Sequence, residues 1–142
     1  MSDADKKSIH TTIQYYDKNA KDFIDNTITV DFTATQTRFS SKLKKGSHIL
    51  DFGCGSGRDT KYFLSQGYQV TAIDGSAELC KLASEYTGIP VKHMMFQELD
   101  EDQIYDGIWA CSSILHLPLP ELKNVFRRIK AALKKDGVFY TS

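Results

Sequence analysis

Between Ile49 and Asp59 the chain runs from a short apolar stretch into three alternate glycines, Gly53, Gly55 and Gly57, with Asp51 two places before the first. A residue without a Cβ is used repeatedly where the backbone must turn tightly and pass close to a ligand. The apolar stretch Ile49-Leu50-Asp51-Phe52 reads as a strand that stops on this turn. The next segment, Asp59 to Leu64, reads as a helix whose first turn points free N–H groups back at the turn. Strand, glycine turn and helix in that order open a nucleotide-type cofactor site.

At 142 residues the chain has room for one domain with a real core and not for two of ordinary size. Its apolar fraction of 41% and charged fraction of 25% are those of a soluble globular protein. With 18 basic and 18 acidic residues the formal charge is zero, which leaves no electrostatic footprint for nucleic acid or an anionic membrane. No apolar run approaches the length of a membrane span, and the polar start Met1 to Lys7 is unlike a signal peptide. Cys54, Cys80 and Cys111 form no C-x-x-C pair, so neither a disulfide framework nor a zinc site is expected. A reducing cytoplasm is the simplest home.

Apolar positions Ile13, Tyr16, Ala20, Phe23, Ile24 and Ile28 make a helical stripe beginning after about Ser8. Asp31 is placed to cap a second helix carrying Phe32, Phe39 and Leu43 and ending on Gly46. Residues 1–46 thus form a helical segment ahead of an α/β core over 47–142. In that core, strands at 48–52, 68–74, 91–95 and 105–111 alternate with helices at about 58–66 and from Ser76 to Gly88. Pro118 and Pro120 open a last helix, which Asp136-Gly137 ends before a strand starting at Val138. Strands separated by helices argue for one doubly wound parallel α/β sheet, covered on both faces.

Asp74 ends the second core strand, about twenty residues beyond the first glycine, where an acid can accept hydrogen bonds from both hydroxyls of a ribose. A dinucleotide fingerprint would need glycine at position 58, and Arg58 stands there. Asp51 is an awkward neighbour for a pyrophosphate. It suits a cofactor presenting an ammonium group, as S-adenosyl-L-methionine does. An NAD-type oxidoreductase is disfavoured on both counts.

The run Ile49 to Gly57 resembles motif I of the class I S-adenosylmethionine-dependent methyltransferases, and Val70 to Ser76 resembles their second motif. Tyr105 to Cys111, followed by Leu115-His116-Leu117-Pro118, is similar to their fourth-strand motif. Tyr16 to Ala20 with Phe23 is similar to the helix that covers the cofactor in small-molecule members, including the tellurite-resistance type. The resemblance implies a Rossmann-like sheet of about five strands in the order 3-2-1-4-5. It implies that Gly53, Cys54, Gly55 and Gly57 approach the methionine part and that Asp51 receives its ammonium group, directly or through water. Asp74 would take the ribose, with Gly75 and Ser76 beside the adenosine. Met95, Phe96 and Gln97 would border the adenine, and Cys111 would lie near the methyl group. Tyr15 and Tyr16 are lid candidates. His116 is the candidate general base, a role that depends on the acceptor.

Two features depart from the family. Met95 and Phe96 stand where many members have an acid after the third strand, and the fourth strand lacks an Asn/Asp-Pro-Pro-Tyr box. The second absence, with zero net charge, points to a small-molecule acceptor rather than nucleic acid. The chain also stops at Ser142, in or just after a fifth strand, so the family's C-terminal hairpin is missing. An edge strand left open in this way predicts a homodimer or poor solubility. The leading expectation is methyl transfer to a small molecule. The alternative is a cofactor-binding domain lacking activity because acceptor-binding segments are absent.

Overall fold

A cap at Ser2 starts the first helix. Its Oγ accepts a hydrogen bond from Asp5 N at 3.0 Å, and Asp3 and Asp5 supply negative charge to the first turn. In the computed structural model, which describes residues 1–142, helix α1 runs from Asp3 to Thr27 and so begins earlier than the apolar stripe alone suggests. It kinks at Asn19, whose φ of −110° and ψ of 17° leave the helical region and whose amide donates to Tyr15 O at 2.8 Å. Helix α2, Thr33–Ser40, is held at its start by Asp31, whose Oδ1 accepts from Thr33 N at 3.0 Å. It ends at Ser40 and not at Gly46. The Ser41 hydroxyl donates to Arg38 O at 2.8 Å and Ser47 to Lys44 O at 2.6 Å, local bonds that compete with the helical ladder.

The sheet is wholly parallel, as the alternating pattern predicts, and runs in the order β3-β2-β1-β4-β5 that the family resemblance implies. Its strands are β1 (His48–Phe52), β2 (Gln69–Asp74), β3 (Lys92–His93), β4 (Tyr105–Ala110) and β5 (Leu133–Thr141). β1 is central, and Asp51 lies in register with Ala72 on one side and Trp109 on the other. Alternate residues sort to opposite faces. Leu50, Phe52 and Ile108 join Val125 and Ile129 of α5 (Leu119–Ala132) in the larger core cluster. Ile49 and Trp109 meet Phe39 of α2 and Phe63 of α3 (Arg58–Ser65) on the other face. Helix α4, Ala77–Thr87, starts on Ser76, whose Oγ accepts from Leu79 N, and ends on left-handed Gly88 at φ +80°. No helix is long and apolar enough to cross a membrane.

Two further boundaries differ from expectation. β3 is only two residues long, because the chain turns at Met95 into a 3₁₀ turn over Phe96–Glu98, where Glu98 Oε1 accepts from Met95 N at 2.8 Å. Asp136-Gly137 do not end α5. The helix stops at Ala132, Leu133 pairs at once with Tyr105, and pairing resumes at Val138 opposite Gly107. The residues between form a bulge around left-handed Asp136 (φ +66°), and Lys134 reaches Asp106 at 3.4 Å.

Gly107 sets how closely α2 approaches the sheet. A Cβ there would fall 2.8 Å from Phe39 Cζ and 3.1 Å from Leu43 Cδ1. Gly107→Ala is therefore expected to destabilise the fold by about 1–3 kcal/mol through overpacking. Urea unfolding followed by circular dichroism checks this, and an unchanged midpoint would show that α2 can move aside.

Candidate functional site

The sheet order reverses between β1 and β4, and the carboxyl ends of strands flank a crevice at such a point. A cavity of about 300 Å³ opens there, lined by the glycine turn, the ends of β2 and β4, the 3₁₀ turn after β3, and α1 across the top. The turn is a run of left-handed glycines, with φ of +83° at Gly53, +54° at Gly55 and +84° at Gly57. Gly53 N and Cys54 N donate to Ile73 O at 3.1 and 2.9 Å, which closes the turn onto β2. Asp74 completes that closure. Its Oδ2 accepts from Gly55 N and its Oδ1 from Ser76 N, both at 2.9 Å.

The cavity wall brings together Gly53, Cys54, Gly55, Asp74, Gly75 and Ser76 with Met95, Phe96, Gln97, Cys111, Tyr16 and His116. Two expected residues stand back from it. Gly57 faces α4, where a Cβ would lie 2.6 Å from Thr87 Cγ2, so its role is close helix packing. Asp51 is buried beneath the turn, only 1% exposed, and its Oδ2 accepts from Thr60 Oγ1 at 2.6 Å. Burial, reinforced by the nearby Asp59 carboxylate, pushes the Asp51 carboxyl up to about 8. Burial also raises Asp74, against the two backbone N–H bonds that favour its charged form.

Tyr16 and His116 meet at the cavity mouth, with the hydroxyl 3.4 Å from Nε2. Burial and the Asp74 charge raise the Tyr16 phenol. The Tyr16 ring also packs edge-on against Phe23, one turn past the kink. Asp17, the next residue, fastens α1 to the start of α4: its Oδ1 accepts from Ser76 Oγ at 2.6 Å and Glu78 N at 3.3 Å. Tyr15, the other lid candidate, is 61% exposed. Burial lifts the Cys54 and Cys111 thiols, so both are protonated near neutral pH and neither is an activated nucleophile.

Several wall residues escaped the sequence reading. Ile9, Thr12 and Ile13 come from the part of α1 nearest the N-terminus, and Ser112 and Ser113 from the turn after β4. Ser113 Oγ donates to Phe52 O at 2.7 Å, tying that turn to the end of β1. Asp59 is the most connected of them, accepting from Arg58, Gln36 Nε2 and Trp109 Nε1. Its position after the last glycine was visible; its partners, far away in sequence, were not.

The profile of the methyltransferase-domain family matches residues 49–137, the segment that holds the glycine turn and the sheet. The chain belongs to this methyltransferase-domain family. Among relatives, it is 33% identical over 90 residues to the ubiquinone biosynthesis O-methyltransferase of Rickettsia akari (strain Hartford), a match covering 60% of this chain and 34% of that protein. The enzyme of the same name from Xanthomonas axonopodis pv. citri (strain 306) is 31% identical over 104 residues, covering 68% and 43%. The chain thus matches less than half the length of either relative. Among solved structures, it is similar to the 1,6-didemethyltoxoflavin-N1-methyltransferase of Burkholderia thailandensis, crystallised with 1,6-didemethyltoxoflavin and S-adenosylhomocysteine. That match has a TM-score of 0.77 at 25% identity and covers 96% of this chain and 61% of that one. A TehB-like methyltransferase from Corynebacterium glutamicum shares the fold, with a TM-score of 0.71 at 21% identity over 89% of this chain and 70% of that one.

The buried acid of this methyltransferase domain links stability to pH. Folded Asp51 keeps its proton until about pH 8, whereas an unfolded aspartate releases it near about pH 3.9. Between those values the folded state holds the extra proton, so stability falls as pH rises through the window. Asp51→Asn removes this titration. Urea midpoints from pH 4 to 9 should fall less steeply in the variant than in the wild type; parallel slopes would refute a raised Asp51.

Proposed function

We propose that the chain binds S-adenosyl-L-methionine and transfers its methyl group to a small-molecule acceptor. The observation that carries this is the cavity itself: a glycine turn, a carboxylate and an orphaned amide border one continuous space. Gln97 Nε2 is buried without a hydrogen-bond partner, a donor that an adenine nitrogen would satisfy. Met95 and Phe96 supply apolar contact beside it. Asp74 spends one lone pair of each oxygen on a backbone N–H, and a carboxylate has about four acceptor sites, which leaves room for two ribose hydroxyls. Gly53 and Gly55 let the methionine end approach the turn, and Cys111 borders that end. Asp51 acts from beneath, through the turn, and makes no direct contact with the cavity.

When bound, the cofactor supplies the methyl group and a positively charged sulfonium leaving group, so the protein's share is positioning and exclusion of water. Tyr16, Phe23 and the first half of α1 cover the site. His116, at the mouth, is the residue to receive a proton from an acceptor that must lose one, and the Tyr16 hydroxyl orients its ring. The zero formal charge and the small-molecule acceptor named for the Burkholderia enzyme both support a small acceptor over nucleic acid. Three free cysteines support a reducing, cytoplasmic setting. Binding without transfer is not favoured, because the relatives matched over this segment are named as methyltransferases.

Titration calorimetry with S-adenosylhomocysteine and NAD tests the reading. The wild type should bind the first and not the second; binding of NAD alone would overturn it. Asp74→Ala should lose charge-assisted hydrogen bonds of about 1.5–3 kcal/mol. That is about a 10- to 150-fold weaker affinity for S-adenosylhomocysteine. Unchanged affinity in a folded variant would remove Asp74 from the site.

A further inference from the structure

Arg58 occupies the place of a dinucleotide glycine, and nothing in the cofactor reading so far uses it. It is the only lysine or arginine on the cavity wall. Its side chain is held on three sides. Asp59 takes Nε at 3.0 Å and Nη2 at 3.2 Å. The Phe32 ring lies 4.8 Å from the guanidinium carbon, and Cys111 Sγ is 3.9 Å from Nη2. Asp59 is itself fixed, because Gln36 Nε2 donates to it at 2.6 Å and Trp109 Nε1 at 3.0 Å, and it is 6% exposed. An arginine carries five N–H donors. Those on Nε and Nη2 are engaged, and Nη1 has no partner in the protein.

A guanidinium held this way on one edge presents its other edge preorganised, so little side-chain entropy remains to be lost on binding. A carboxylate oxygen is a strong, charge-assisted partner for the free Nη1 donors. The other charged groups of the wall, Asp59 and Asp74, are acids and would repel an anion. We propose that Arg58 is the carboxylate receptor of this cavity, with the free Nη1 edge as its binding element. The assignment rests on the cofactor reading above. Two carboxylates are available in such a reaction: the amino acid end of the cofactor, and one carried by the methyl acceptor.

Titration calorimetry on wild type and Arg58→Met separates them with three probes. S-adenosylhomocysteine carries the carboxylate, 5′-methylthioadenosine is the matching thioether without it, and benzoate is added to protein saturated with S-adenosylhomocysteine. If the cofactor supplies the carboxylate, the variant binds S-adenosylhomocysteine about 10- to 150-fold more weakly and 5′-methylthioadenosine as before. If the acceptor supplies it, S-adenosylhomocysteine binding is kept and benzoate binding, present in the wild type, is lost. Unchanged S-adenosylhomocysteine affinity with no Arg58-dependent benzoate binding overturns the assignment, leaving Arg58 as the ion-pair partner of Asp59 alone. So does equal weakening toward both adenosyl probes. Wild-type protein that binds neither adenosyl probe refutes the cofactor reading, and this assignment with it. Should Arg58→Met fail to fold, Arg58→Lys keeps a positive charge beside Asp59 while losing the planar edge, and the same comparisons apply.

Discussion

The site depends on how the chain leaves β1. Phe52 is fully buried, and the next residues must reverse at the carboxyl end of the sheet without blocking the crevice. Left-handed glycines make that reversal cheap, and β2 fastens it, through Ile73 O below and the Asp74 carboxylate above. The same contact positions Asp74, because the oxygen that holds Gly55 N belongs to the acid that faces the cavity. The turn and its acid are thus one structure. Moving either would open the wall between β1 and β2.

Burial under that turn has an electrostatic consequence. Asp51, Asp59 and Asp74 cluster around a few residues, and three bare carboxylates so close in a low-dielectric interior would be costly. The structure resolves this by giving each a different neighbourhood. Asp59 is paired with Arg58 and saturated with donors. Asp74 takes two backbone N–H bonds. Burial drives both Asp74 and Asp51 toward the neutral form, and Asp51, with one hydroxyl for company, is pushed up to about 8. The negative field at the cavity therefore comes from Asp74 more than from Asp51, although Asp51 is the more conspicuous acid in the sequence.

What could be read in advance was local. β1, the Ser76 cap and the Gly88 stop depend on residues adjacent in sequence, and the structure shows all three. Alternation gave a parallel sheet, and its strand order matches what the family resemblance implies. The errors arose where distant contacts overrule local signals. Asp136-Gly137 has the composition of a helix stop, yet Tyr105 captures Leu133 first and turns the pair into a bulge. Arg58 was legible only as a missing glycine. Its meaning needs Asp59, Trp109, Gln36 and Phe32, which come from three separate segments. That Asp51 lies beneath the turn was hidden for the same reason, since only the fold shows Thr60 closing over it.

The cover of the site differs in kind from its floor. Of the 25 residues of α1, only Ala20 is buried, whereas the β1 and β4 strands beneath are almost entirely so. The covering half of α1 is fastened by Asp17 to the start of α4 and by Tyr16 at His116, polar contacts that water can replace. Its helical ladder is interrupted at Asn19, between those contacts and Phe23. No α1 residue belongs to either of the two core clusters described above, so releasing the cover would leave both intact. A ligand enclosed on nearly every side needs such an element, since a lid with its own share of the core could open only by unfolding part of the domain. The sparse apolar stripe of α1, a weak signal for a core helix, is what a removable cover requires.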